Sequence, residues 1–277
     1  MYRQPYGRSY GRRSTGIPIR LLIALVVAGV SFFSYLGTRS QNTVTGETQY
    51  VDMTPEQEIA MGLQAAPQMA QEYGGLYQNQ QAQDFVKAVG QKVVASSVAS
   101  QTPYQFDFHL LADEQTVNAF ALPGGQIFIT AALLDRLDTE GQLAGILGHE
   151  VAHVVARHGS EHLAKQKLTQ GLTGAVGVVA GDYNTARMAQ MVGSMINMQY
   201  GRSDELESDK LGVRFMTDAG YDPRSLMRVM EILEEASGGS RQPEFMSTHP
   251  NPGNRIAQIE AAIGEYYPNG LPEGLTP

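Results

Sequence analysis

His149-Glu150-Val151-Ala152-His153 sets two imidazoles four residues apart, with a carboxylate directly after the first. On a helix this spacing stacks both rings on one face, one turn apart, so both reach a single cation. Each residue turns the helix by about 100°, so Glu150 flanks such a cation and need not bind it. Hydrolysis at zinc requires three protein ligands, one open position for water, and a carboxylate to take the water's proton. The pentapeptide supplies two ligands, His149 and His153, and the candidate base, Glu150.

The third ligand must come from elsewhere. The metzincin pattern asks for a histidine six residues after the second, and that position is Gly159. His158 and His162 lie five and nine residues past His153, off the metal-facing side of a continuous helix, and read as exposed or supporting residues. A better source lies 52 residues on, in Asp204-Glu205-Leu206-Glu207-Ser208-Asp209. Glu205 and Asp209 are four apart on a predicted helix ending at Gly220. Glu205 can complete a His-His-Glu zinc site. Asp209, one turn later, can accept a hydrogen bond from a ligand histidine and fix its tautomer.

The elements around these residues follow from periodicity. Leu143, Ile146, Leu147, Val151, Val154 and Val155 recur at helical spacing, with Asp138 or Thr139 as cap and Gly159 as stop. The motif is therefore expected deep in a buried helix, where two histidines need a partner, and a metal provides one. Thr54-Pro55-Glu56 opens an earlier helix that runs to about Tyr73, and a second covers about 82–97. Tyr104 to Leu111 alternates as a half-buried strand, with His109 on its other face in a structural role. After the turn at Pro123-Gly124-Gly125, the run Gln126, Ile127, Phe128, Ile129 and Thr130 reads as a second strand. As an edge strand it would take an extended substrate through its backbone. Leu172 to Ala180 is apolar but too short to cross a bilayer, and reads as a core helix or a loop over the cleft. Asp222-Pro223 opens a helix to about Glu235, residues 237–243 form a connector, and the last helix covers 252–263.

Charge divides the chain unevenly. The first twenty residues hold five arginines and no acid, while all 28 acidic residues lie beyond them. That acidic body argues against nucleic acid as a partner. There is no cysteine, which excludes disulfides, thiolate zinc sites and a cysteine nucleophile. Leu21 to Gly37 carries no charge, and with residues 17–20 approaches the roughly 20 residues that span a bilayer core. The arginines before it place the N-terminus in the cytoplasm and the body outside. A cleaved signal peptide and a mitochondrial transit peptide are the alternatives. The expected organisation is a disordered basic tail (1–16), a transmembrane signal anchor (17–37), a polar linker (38–52), a catalytic domain (53–266) and a loose tail (267–277).

Several stretches together resemble the gluzincin metallopeptidase family of the CAAX prenyl protease and the HtpX heat-shock protease, peptidase family M48. They are Asn118 to Ile129, Gly148 to His158, Arg202 to Asp209 with Ala219 to Pro223, and Ser247-Thr248-His249-Pro250. They span roughly residues 50–264, in the family's order. Where the family usually has alanine before the second acidic residue, this chain has Ser208. The resemblance implies an α+β fold, mostly helical and zincin-like, with a small antiparallel-edged sheet beside an active-site helix. It also implies one zinc ion per chain and hydrolysis of misfolded or unassembled membrane and envelope proteins, in an extracytoplasmic or mitochondrial inner-membrane setting. The alternative is a latent zinc protein that holds clients with little proteolysis. His249 lies in a loop pinned by Pro250 and Pro252 after a glycine-rich connector, so it is presented in few orientations. It can approach the open position of the metal as a latch, a use of the His-Pro loop that the resemblance also implies. Capping the following helix or lining the cleft are its other possible roles.

Overall fold

The computed structural model describes residues 19–173, 199–237, 243–250 and 253–277. Helix α1 (Ile19–Gly37) leads into a hairpin of β1 (Arg39–Gln41) and β2 (Thr48–Tyr50). Then come α2 (Pro55–Glu72), α3 (Gln80–Ser96), β3 (Asp107–Leu111), β4 (Ala119–Ala121) and β5 (Gln126–Thr130). A short α4 (Ala131–Leu134) precedes the motif helix α5 (Glu140–Val155) and α6 (His158–Thr173). Past residue 198 follow α7 (Arg202–Asp218), α8 (Arg224–Ser237), α9 (Glu244–Thr248) and α10 (Arg255–Tyr266). This is the α+β architecture expected, with helices around small sheets.

Local chemistry sets the boundaries. Thr54 and Gln57 form a capping box at α2, with Pro55 in its first turn. Thr139 caps α5 by accepting from the backbone N–H of Gln142. Helix α5 stops at Val155, earlier than the Gly159 expected, because Arg157 takes a left-handed conformation with φ 62°. That conformation costs a non-glycine residue about 1–2 kcal/mol. Its guanidinium offsets the cost by donating to Glu58 Oε1 from Nε (3.1 Å) and Nη2 (2.9 Å), and from Nη2 to the carbonyl of Met53 (2.7 Å). Glu58 in turn accepts from the Tyr104 hydroxyl at 2.8 Å.

The three-stranded sheet runs in the order β3-β5-β4, with β3 parallel and β4 antiparallel to β5. Gln126, Ile127, Phe128 and Ile129 therefore lie on the central strand, buried and paired on both sides, and not on an edge. The edge beside the motif helix is β4. Gly124 and Gly125 turn β4 into β5 with φ of 89° and 109°, a region that favours glycine.

Helix α5 is buried along almost its whole length and packs on α3, α7 and α8, with β4 alongside. A Cβ on Gly212 of α7 would lie 3.3 Å from the backbone nitrogen of His149. That bare contact lets α7 approach α5 closely enough for Glu205 to reach the motif histidines. Removing a fully buried contact such as Leu147 costs about 2–5 kcal/mol.

Two segments are more ordered than the sequence suggests. The supposed linker 38–52 contains the β1–β2 hairpin. Its buried Asn42 donates from Nδ2 to the carbonyl of Val155 at 2.9 Å, and Gln49 donates to the carbonyl of Ala156. These bonds satisfy carbonyls at the end of α5. The supposed loose tail is tied down by Thr276, which pairs with Gly220 and Asp222, and by Pro277, which accepts from Gly141. Most of 172–180, and residues 238–242 of the connector, lie outside the described residues. The expected span over 17–37 also begins outside them, and among the described residues no helix is long and apolar enough to cross a membrane. Leu22, Ile23, Leu25, Val26, Val30 and Phe33 of α1 stand exposed.

Candidate metal centre

The stacking expected of an i, i+4 pair is present. His149 and His153 are each 1% exposed, and their Nε2 atoms converge to 3.0 Å. Two imidazole lone pairs this close repel unless a proton or a cation lies between them. Helix α7 brings Glu205 to the same point, with Oε2 3.6 Å from His149 Nε2 and Oε1 3.5 Å from His153 Nε2. From the end of α9, His249 adds Nδ1 at 3.1 Å from Glu205 Oε1 and 3.4 Å from His149 Nε2. One ligand atom from each of the four residues lies within 4.8 Å of the others. Imidazole and carboxylate donors in this number suit zinc.

Unpaired polar atoms mark the same place. Among the described residues, both carboxylate oxygens of Glu150 and Nε2 of His249 are buried without a hydrogen-bond partner. Leaving such groups unmade costs about 1–3 kcal/mol each, and more when charged. They converge, as a cation site and its base require: His249 Nε2 is 3.6 Å from Glu150 Oε1. Burial raises the Glu150 carboxyl above its usual range, and the neighbouring histidines oppose that only in part. Burial, then the charge of His149, holds His153 well below the usual imidazole value. Burial also opposes ionisation of Glu205, but His249 and His149 override it and hold Glu205 well below the carboxylate range. For His149, hydrogen bonds to Asp209 and Glu205 outweigh burial and raise its value to about 9.

The surrounding groups orient these four. His149 Nδ1 donates to Asp209 Oδ1 at 2.9 Å, the contact expected from the Glu205/Asp209 spacing. In the sequence Arg255 is one residue of the last predicted helix, 252–263. It is 1% exposed and forks onto Asp209, with Nε to Oδ2 at 2.8 Å and Nη2 to Oδ1 at 2.7 Å. Its Nη1 lies 3.0 Å from Glu205 Oε2, so one guanidinium braces both Glu205 and Asp209. An arginine inside an otherwise apolar helix stripe was the available signal. His158 is buried, not exposed: the break at Arg157 turns its Nδ1 to within 3.0 Å of His153 Nδ1. His162 pairs with Asp204 at 2.9 Å, away from the centre. His109 contacts Gln126 at 2.9 Å and stacks on Phe128, in keeping with a structural role. Tyr200, also missed, stacks on His153 with ring centroids 4.0 Å apart.

A small cleft opens beside the centre, lined by Tyr73, Phe120, Ala121, Leu122, Tyr200 and His249. Its wall is the β4 edge. Asn118 and Leu122 turn their backbone bonds toward β5, so by alternation Ala121 turns its N–H and C=O outward.

The sequence model of peptidase family M48 matches residues 80–263. The chain is 30% identical to the beta-barrel assembly-enhancing protease of Escherichia coli (strain K12) over 194 residues, 66% of this chain and 39% of that protein. Against the protease of the same name from Yersinia pestis it is 28% identical over 260 residues, covering 90% and 52%. With the mitochondrial metalloendopeptidase OMA1 of Schizosaccharomyces pombe it shares 28% over 244 residues, 86% of this chain and 69% of that one. The chain thus spans between two fifths and about half of the assembly-enhancing proteases it matches. The matched region runs from α3 through α10 and includes every residue of the buried cluster. By that match the chain belongs to peptidase family M48, the zinc metallopeptidases its motifs resemble.

Proposed function

We propose that this chain is a zinc-dependent endopeptidase that hydrolyses peptide bonds in misfolded or unassembled membrane and envelope proteins. One observation carries the reading: ligand atoms of His149, His153, Glu205 and His249 converge within 4.8 Å beside the unpaired buried carboxylate of Glu150. Zinc held by His149, His153 and Glu205 would supply Lewis acidity, to acidify water and polarise a carbonyl. The protein's own groups do the rest. Glu150 takes a proton from water on a carboxylate oxygen and returns it to the leaving amine. Asp209, locked by Arg255, keeps His149 Nδ1 occupied so that Nε2 faces the cluster.

An extended substrate would add to the outward edge of Ala121 on β4, the role that β5 cannot fill. Backbone pairing of this kind depends little on side chains, which suits unfolded clients of varied sequence. The names of the relatives, a beta-barrel assembly-enhancing protease and a mitochondrial metalloendopeptidase, support an envelope or organelle setting. Residues 17–37 would anchor the chain in a membrane with the catalytic body extracytoplasmic. The exposed apolar side chains of α1 and the arginines before it support that placement.

A second reading has its own support. His249 stands among the ligand atoms, the place of a latch that would keep the enzyme latent and leave it chiefly a client-holding protein. A casein-cleavage assay of the full chain against Glu150→Gln separates the two. The variant should keep its zinc and lose about 10²- to 10⁴-fold in turnover. Wild-type turnover by the variant would reject Glu150 as base.

A further inference from the structure

Helix α7 carries three acids in alternation, Glu205, Glu207 and Asp209. The first reaches the ligand cluster and the third supports His149. Glu207 is turned about 200° from Glu205 around the helix and cannot reach the same point. It is nevertheless engaged. Glu207 Oε2 lies 3.2 Å from His158 Nε2, and His158 Nδ1 lies 3.0 Å from His153 Nδ1. The Ser208 hydroxyl adds a contact to His158 Nδ1 at 3.3 Å.

We propose that His158 and Glu207 form a second brace, which fixes His153 as a zinc ligand as Asp209 and Arg255 fix His149. The proposal rests on the zinc reading of the cluster. The order of hydrogens follows from the geometry. His153 Nε2 faces His149 Nε2 and Glu205, so it must present a lone pair there and carry its hydrogen on Nδ1. That N–H donates to His158 Nδ1. His158 then carries its own hydrogen on Nε2 and donates it to the Glu207 carboxylate. The chain from carboxylate through two imidazoles holds both the tautomer and the ring plane of His153.

The brace lies outside the cleft lined by Tyr73, Phe120 and Tyr200, whose walls include neither His158 nor Glu207. His158 and Glu207 both line an open groove that includes Thr48, Gln49, Glu161 and Lys210. His158 is 3% exposed at its side chain and Glu207 is 28% exposed. Both residues are positioning groups, since neither touches the cleft. The break at Arg157 is what makes the arrangement possible. On an unbroken helix His158 would sit about 140° from His153.

The test measures zinc affinity of the full chain by competition with a chromogenic chelator. It also measures the melting temperature of chelator-treated protein, and imidazole nitrogen shifts by NMR. Glu207→Ala, at a partly exposed position, should leave the melting temperature of the chelator-treated protein unchanged and weaken zinc binding by about 10-fold. Glu207→Gln should lose less, because its amide oxygen still accepts from His158. His158→Phe, which keeps a ring but no acceptor, should lose about 10- to 100-fold and shift the His153 nitrogens. A loss under about threefold in Glu207→Ala, or equal losses in Glu207→Ala and Glu207→Gln, overturns the brace. His153→Ala is the control: if it still binds zinc as the parent does, the metal reading itself fails. If it loses zinc while Glu207→Ala does not, only the brace fails.

Discussion

His249 Nδ1 stands 3.1 Å from Oε1 of Glu205, a residue 44 positions earlier in the chain. Its ring stacks on Phe245, with centroids 4.3 Å apart, and its backbone N–H closes α9 onto the Phe245 carbonyl at 2.7 Å. Tyr73 and Asn118 hold Glu244 at the start of α9, through hydrogen bonds of 2.6 and 3.3 Å. The histidine is thus presented to the ligand cluster by a short helix fastened at both ends.

From this arrangement, His249→Ala should raise basal cleavage of an unfolded protein severalfold and promote self-cleavage, while zinc stays bound by His149, His153 and Glu205. Zinc content by atomic absorption, beside turnover, checks both halves. Unchanged or lower turnover with zinc retained would reject the latch and leave His249 a structural or cleft-lining role.

The acids of α7 should separate by function. Glu205→Ala removes a ligand and should lower zinc content and activity together. Asp209→Ala removes the support of His149 and the forked partner of Arg255; it should cost about 10- to 100-fold in zinc affinity, with some loss of stability beside it. Arg255→Ala strands two buried carboxylates and should destabilise the fold by about 3–5 kcal/mol, read by denaturant unfolding. Normal zinc binding by Glu205→Ala would show that the wrong carboxylate has been assigned.

Substrate pairing on β4 predicts a specific pattern of amide exchange. In Glu150→Gln with a bound unfolded client, the Ala121 amide should gain protection. The amides of residues 126–130 should not change, because β5 is already paired on both sides. Protection that appears only on β3 would place the client on the opposite edge of the sheet.

The hairpin after α1 should matter to the motif helix. Asn42→Ala leaves the Val155 carbonyl without its 2.9 Å partner, and a buried unsatisfied carbonyl costs about 1–3 kcal/mol. A melting-temperature drop, accompanied by weaker zinc binding, is the expected outcome. An unchanged melting temperature would mean that solvent replaces the bond.

Membrane topology gives an independent check. With residues 17–37 intact, added protease should digest the body in spheroplasts and spare it in sealed inside-out vesicles. The reverse pattern would place the catalytic body in the cytoplasm.

The sequence alone determined the centre of the site. His149, Glu150 and His153 act over one helical turn, so their spacing carries their geometry, and the Glu205/Asp209 pair is legible for the same reason. Local capping chemistry likewise made α2 and α5 readable at their starts. Tertiary structure decided what depends on contacts between distant segments. Strand order put β4, and not β5, on the free edge, and no periodicity in Gln126 to Thr130 distinguishes a central strand from an edge one. The left-handed turn at Arg157 is held by Glu58, 99 residues away, and it redirects the chain so that His158 returns to His153. Arg255 reads as an ordinary helix residue until α10 packs against α7 and its guanidinium meets Asp209. Helical periodicity fixes which way a side chain points on its own element. Which charge waits for it on another element is fixed only by packing.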